Sequence, residues 1–138
     1  LSPGFKNYAE LVIANAKTMA AEFIKLGYDI ISGGTDNHLF VIDLRSKNLA
    51  GKEAEKILDR IGVSVSRSTI PNDPNPPLNP SGLRLGTPAI TTRGCTPEDC
   101  RLIVQTIDTA LMHKEDDAVI EACKNTIKKM CKRYPLPY

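Results

Sequence analysis

Five of the chain's ten prolines, Pro71, Pro74, Pro76, Pro77 and Pro80, crowd into the stretch Thr69–Pro80. Each holds φ at about −65° and withdraws one backbone N–H, so this stretch can be neither a helix nor a central strand. It is expected to be a stiffened loop, and the elements on either side must be organised around it. The loop leads straight into Ser81–Gly94, SGLRLGTPAITTRG. Read as a strand, this segment points Leu83 and Leu85 to one face and Gly82, Arg84 and Gly86 to the other. Pro88, with no N–H for a ladder, ends regular pairing. Two readings of Arg84 are open from the strand alone. It is either an edge-strand arginine in a surface salt bridge, or a planar donor fork in an open notch between two glycines, placed to receive a carboxylate or phosphate. The proline loop likewise fits either a plain linker or a wall of a binding pocket.

The remaining elements follow from periodicity. Phe5, Tyr8, Val12, Ala16, Met19 and Phe23 recur at three- and four-residue steps, which predicts an amphipathic helix over Phe5–Lys25 with Gly27 ending it. This stripe is expected to be core. Tyr28–Ser32 is a short strand candidate closed by Gly33–Gly34, and Thr35-Asp36-Asn37 favours a turn. His38 then opens a β-branched run, with Phe40 and Ile42 on one face and Leu39, Val41 and Asp43 on the other. A histidine there suits a structural hydrogen bond, and it is also kept as a candidate site residue. A second helix is predicted over Gly51–Ile61, stopped by Gly62, and a third short strand where Val63 and Val65 alternate with Ser64 and Ser66. Thr96-Pro97-Glu98-Asp99 carries a capping box and an N-terminal proline, so a helix starts there, with Ile103, Ile107, Ala110 and Leu111 inward. A last helix runs from about Asp116 to Cys131 with Val119, Cys123, Ile127 and Met130 inward. This order predicts an α/β fold, specifically an α+β two-layer sandwich, as one domain over residues 1–138.

Charge and composition narrow the function. A net charge of +2 gives no electrostatic case for nucleic acid, and the lysines of the last helix fall near its C-terminus, where a solvated face is expected. No apolar run is long enough to span a membrane, so no membrane partner is expected. The four cysteines, Cys95, Cys100, Cys123 and Cys131, form no C-x-x-C pair, and with His38 or His113 they lack the spacing of a zinc site. No metal is therefore expected. Cys100, Cys123 and Cys131 fall on apolar helix stripes, as reduced thiols of a cytoplasmic protein would. The chain opens on Leu1, and it is expected to be a piece of a longer protein.

SGLRLGTPAITTRG closely resembles the signature of the C-terminal domain of serine hydroxymethyltransferases. SGGTDNHLF at Ser32–Phe40, GKEAE at Gly51–Glu55, TIPNDP at Thr69–Pro74 and the ending CKRYPLPY also match, in the family's order. The resemblance covers essentially the whole chain. It implies the small C-terminal domain of the fold-type-I pyridoxal-phosphate enzymes, a short sheet with helices packed on it. It also implies a parent enzyme, a cytoplasmic homodimer, that interconverts serine plus tetrahydrofolate with glycine plus methylenetetrahydrofolate. Pyridoxal phosphate is the electron sink there, and the protein orients the amino acid on it.

Carried over by position, the family's arginine for the substrate α-carboxylate falls at Arg84. Its folate-contact loop falls at Pro76, Pro77 and Leu78. An asparagine ahead of the T-I-P segment falls at Ser68, and here the sequence departs from the pattern: Ser66-Arg67-Ser68 stands where bacterial relatives often have asparagine, lysine, asparagine. Serine is shorter and has no amide donor. The family's cofactor-bearing lysine follows a run of threonines and a histidine, whereas His113–Lys114 has no such run, so no catalytic residue is expected in this chain. The resemblance therefore implies a part that supplies the substrate arginine and some of the folate site, inactive without its large domain. The alternative is a free-standing carboxylate-binding or interaction module derived from such a domain.

Overall fold

The N-terminal apolar stripe becomes α1 (Pro3–Lys25), with Val12, Ala16, Met19 and Phe23 buried along it. The computed structural model describes residues 3–31, 39–63, 65–70, 73–76, 78–86 and 96–133. α1 ends where Gly27 takes a φ of +95°. The N–H groups of Gly27 and Tyr28 then donate to the carbonyls of Ile24 and Phe23, each at 3.0 Å, closing the last turn. Tyr28 is thereby turned into the core. Its ring meets Phe23 edge-on at 5.3 Å, and its hydroxyl donates to Asp108 Oδ1 at 2.8 Å. Burial first, and the Asp108 contact second, push its pKa far above the ordinary phenol range, so it remains a neutral donor.

The strands are β1 (Asp29–Ile31), β2 (Leu39–Asp43), β3 (Ser66–Ser68) and β4 (Gly82–Gly86). They pair in the order β1-β2-β4-β3, antiparallel throughout. A short 3-10 turn (Arg45–Lys47) and α2 (Gly51–Arg60) link β2 to β3. After β4 come α3 (Pro97–Met112) and α4 (Asp117–Arg133). Phe40 lies opposite Leu85 and Ile42 opposite Leu83 in the register, and all four join one apolar core with residues of the helices. The expected two-layer α+β architecture is what the chain adopts: helices on one face of a four-stranded sheet.

Local signals that were read in the sequence act as expected at the helix ends. Thr96 and Asp99 form the reciprocal capping box of α3, with Pro97 in its first turn. Asp116 starts α4, its carboxylate accepting from Ala118 and Val119 N–H groups at 3.1 and 3.2 Å. Cys100 and Cys123 are buried on their helices, and burial raises the Cys123 thiol pKa.

One expected element shifts, and one of the two open readings of Arg84 is closed. The third strand comprises Ser66–Ser68, not the Val63–Ser66 alternation. The reason is the end of α2: Gly62 takes φ +88°, and Gly62 and Val63 spend their N–H groups on Asp59 and Leu58 carbonyls, at 3.1 and 2.9 Å. Sheet pairing therefore starts three residues later, and Val63 and Val65 pack against the core instead. Second, β4 lies between β2 and β3, so Arg84 is not on an edge strand.

Candidate functional site

Alternation along β4 sends Leu83 and Leu85 into the core, at 0% and 6% exposure, and turns Arg84 to the opposite, exposed face. No described helix covers that face. Directly across the strands from Arg84 are Val41 on β2 and Ser66 on β3, whose side chains share its side. Among the described residues, the guanidinium has no hydrogen-bond or ion-pair partner. Five donors in a rigid fork are thus offered outward from an interior strand, between a small hydroxyl residue and an apolar one. Such an arrangement can take a planar carboxylate along both of its oxygens.

The notch expected on both sides of Arg84 is different at Gly82. A Cβ there would lie 2.6 Å from the Ser68 carbonyl oxygen, 3.0 Å from Ile70 Cγ2 and 3.1 Å from Val41 Cγ1. The missing side chain is therefore space already filled, not an opening. Ile70, 5% exposed, roofs this end of the otherwise open face, two residues along the strand from Arg84.

Ile70 begins the proline loop, and the loop is strapped down at several points. Asp73 is its knot. Its Oδ1 accepts from Asn75 N–H at 2.9 Å and the Ser81 hydroxyl at 2.7 Å, and its Oδ2 accepts from Ser81 N–H at 2.9 Å and Ile70 N–H at 3.3 Å. These donors, Ser81 N–H foremost, hold its pKa down at about 2. Asn75 Nδ2 adds a bond to Ser81 Oγ at 2.9 Å, and the Ser81 carbonyl accepts from Leu44 N–H at 2.9 Å.

Further along, the loop caps a helix. Ala50 gives α2 no side-chain cap; instead Gly51 N–H donates to the Pro80 carbonyl at 2.7 Å and Lys52 N–H to Asn79 Oδ1 at 3.0 Å. Arg67, paired with Glu55 at 3.5 Å, donates to the Leu78 carbonyl at 2.7 Å. Beyond that clamp the Leu78 side chain stands 83% exposed.

At the Gly82 end, Asp43 lies across from Gly82 in the register and is 4% exposed. Arg45 answers it with a two-pronged pair, Nε at 3.1 Å to both oxygens and Nη2 at 2.7 Å to Oδ2. Hydrogen bonds from that guanidinium hold the Asp43 carboxyl below its usual range.

The structure thus brings Arg84, Ser68 and the Ile70 end of the proline loop to one side of the sheet, while Leu78–Pro80 are tied to Arg67 and to the start of α2. Ser68 pairs with Gly82 in the register and is half-buried, two residues from Ser66 on the same face of β3. Pro76 is exposed on the loop, while Pro77 and His38 lie outside the described residues. Three residues were given no role at the site by the sequence: Asp73, Arg67 and Ser66. The signal for Asp73 was present, an aspartate ahead of a proline, which favours a side-chain-closed turn. Nothing local marks Arg67 or Ser66, whose positions follow from pairing with β4.

Compared with known proteins, the chain matches the family model for serine hydroxymethyltransferase over residues 1–107, which takes in the whole proline loop and β4. It is similar to a serine hydroxymethyltransferase of Halorhodospira halophila, 45% identical over 136 residues, 99% of this chain and 33% of that protein. The chain spans about a third of the length of the curated relative it matches. With most of its residues inside the family match, the chain belongs to the serine hydroxymethyltransferase family.

Proposed function

We propose that this chain is the portion of a serine hydroxymethyltransferase that grips the α-carboxylate of serine or glycine through Arg84 and offers tetrahydrofolate a wall of the proline loop. The parent then interconverts serine plus tetrahydrofolate with glycine plus methylenetetrahydrofolate, as a cytoplasmic homodimer. The observation that carries this reading is Arg84 itself, exposed on an interior strand and without a partner among the described residues. A fork at that place fixes the carboxylate in plane as well as in charge, which restricts how the bound amino acid can be turned. Leu78 and Pro76, exposed on the strapped loop, would supply apolar contact for a flat heteroaromatic ligand, and Ser68 a hydroxyl on the Arg84 side of β3.

Pyridoxal phosphate supplies the electron sink for the reaction. No lysine of this chain follows the run of threonines and a histidine that marks the family's cofactor lysine, and two of its lysines are engaged elsewhere. Lys114 is paired with Glu53 at 3.1 Å at the turn between α3 and α4. Lys47 donates to the Leu26 carbonyl at 2.7 Å and lies over the Tyr28 ring. Attachment of the cofactor is therefore assigned to the remainder of the parent protein, and this chain by itself is expected to be inactive.

The test compares the parent with this chain alone, recording pyridoxal-phosphate absorbance and tetrahydrofolate-dependent serine cleavage. Activity and cofactor absorbance in the parent, with neither in the isolated chain, support the reading. An isolated chain that takes up the cofactor covalently contradicts it. An inactive parent that still binds glycine or serine saturably would favour a carboxylate-binding module.

A further inference from the structure

We propose that Asp73 is a positioning residue, its carboxylate setting both the proline loop and the strand that carries Arg84 in the places their ligands need. The proposal rests on the serine hydroxymethyltransferase reading of this site. One side chain gathers donors from the start of the loop (Ile70), from its interior (Asn75) and from the residue that enters β4 (Ser81). Ser81 is fully buried, and it also ties this knot to the end of β2, where its carbonyl accepts from Leu44 N–H. The loop and the arginine strand are thus registered to each other chiefly through one carboxylate, with the Asn75–Ser81 side-chain bond beside it. The main apolar cluster lies on the other face, with Leu83 and Leu85, while Ile70 and Ser81 within the knot are themselves buried. Loosening the knot is expected to shift the ligand-facing loop and strand and to cost some folding stability as well.

The chemistry identifies the decisive substitution. In Asp73→Asn one oxygen remains for two of the four donors. The amide nitrogen then points donors at donors, the N–H groups of Ser81 and Ile70, if the oxygen keeps Asn75 and the Ser81 hydroxyl. Misplacement by about 1 Å is enough to cost binding and turnover on the order of 10²-fold.

The experiment uses the full-length parent with its cofactor, as the unmutated protein, Asp73→Asn and Ser81→Ala. KM for serine, KM for tetrahydrofolate and kcat are measured for each. Asp73→Asn is expected to raise both KM values by about tenfold or more, with a smaller fall in kcat, and Ser81→Ala to raise both by a lesser factor. A purely structural role would lower kcat with the amount of folded enzyme and leave both KM values unchanged, and that result overturns the proposal. If Asp73→Asn does not fold, Ser81→Ala decides on the same criterion. An unmutated parent without tetrahydrofolate-dependent serine cleavage overturns the function reading and this proposal together, whereas an active parent with unmoved KM values overturns only the role of Asp73.

Discussion

On β2 and β4, neighbouring residues meet opposite surroundings. Phe40, Ile42, Leu83 and Leu85 are at most 6% exposed beneath the helices, whereas Val41 and Arg84 face the side that no described helix covers. The covered face obeys burial alone: apolar, paired in register and continuous with the helix core. The open face mixes an arginine, two serines, a half-buried valine and a loop tied by hydrogen bonds. On the proposed reading, strand alternation puts core packing on the first face and ligand recognition at Arg84 on the second. A change at a core residue should be read in unfolding, and a change at Arg84 in binding.

The largest effect that would test this division is at Arg84. In the parent, Arg84→Ala should lower kcat/KM for serine by about 10²–10³-fold, the usual cost of removing one partner of a hydrogen-bonded charge pair. Arg84→Lys should recover only part of that loss, because it keeps the charge and loses the fork. Neither should move the unfolding midpoint much. An arginine variant that unfolds the domain but leaves the kinetics of the folded fraction intact would break the comparison.

Adjacent residues on β2 sharpen it. Ile42, 1% exposed, should cost about 2–5 kcal/mol as Ile42→Ala in urea unfolding. Val41, half-buried on the other face, should cost less than about 1 kcal/mol as Val41→Ala. Gly82→Ala should fall between them, at about 1–3 kcal/mol, since its new methyl meets the Ser68 carbonyl at 2.6 Å, an atom that cannot swing away.

The smallest expected effect is on acid stability. The folded-state pKa of Asp73 is lowered to about 2, and that of Asp43 is lowered by Arg45. A carboxylate with a depressed folded pKa contributes stability that is complete above its unfolded value, about 3.9, and is lost as pH falls toward the folded one. The thermal midpoint should therefore drop between about pH 4 and about pH 2, and Asp73→Asn should flatten part of that drop. An unchanged profile in that variant would show that the loop knot adds nothing to folding stability.

Much of the covered face was legible in the sequence, because alternation and the three- to four-residue step report burial directly. Phe40 and Ile42 against Val41 needed no partner to be read, and the Thr96–Asp99 cap is complete within four residues. The open face was legible only at Arg84. A glycine does not say whether its empty side is open or filled, so the tight packing over Gly82 could not be read from its flanks. The Asp73 knot spans eight residues to Ser81, and the caps of α2 reach across 27 residues from Lys52 to Asn79. Such bonds depend on the loop's folded path, and local pattern carries no record of that path. β3 moved for a related reason, since the helix stop at Gly62 consumed the N–H groups that the alternation assigned to a strand.

The most direct measurement is a crystal structure of the parent protein with glycine bound. The glycine carboxylate is expected on the open face of this sheet, both oxygens within about 3 Å of the Arg84 guanidinium nitrogens. A carboxylate held elsewhere, with Arg84 in an ion pair to another part of the parent, would contradict it.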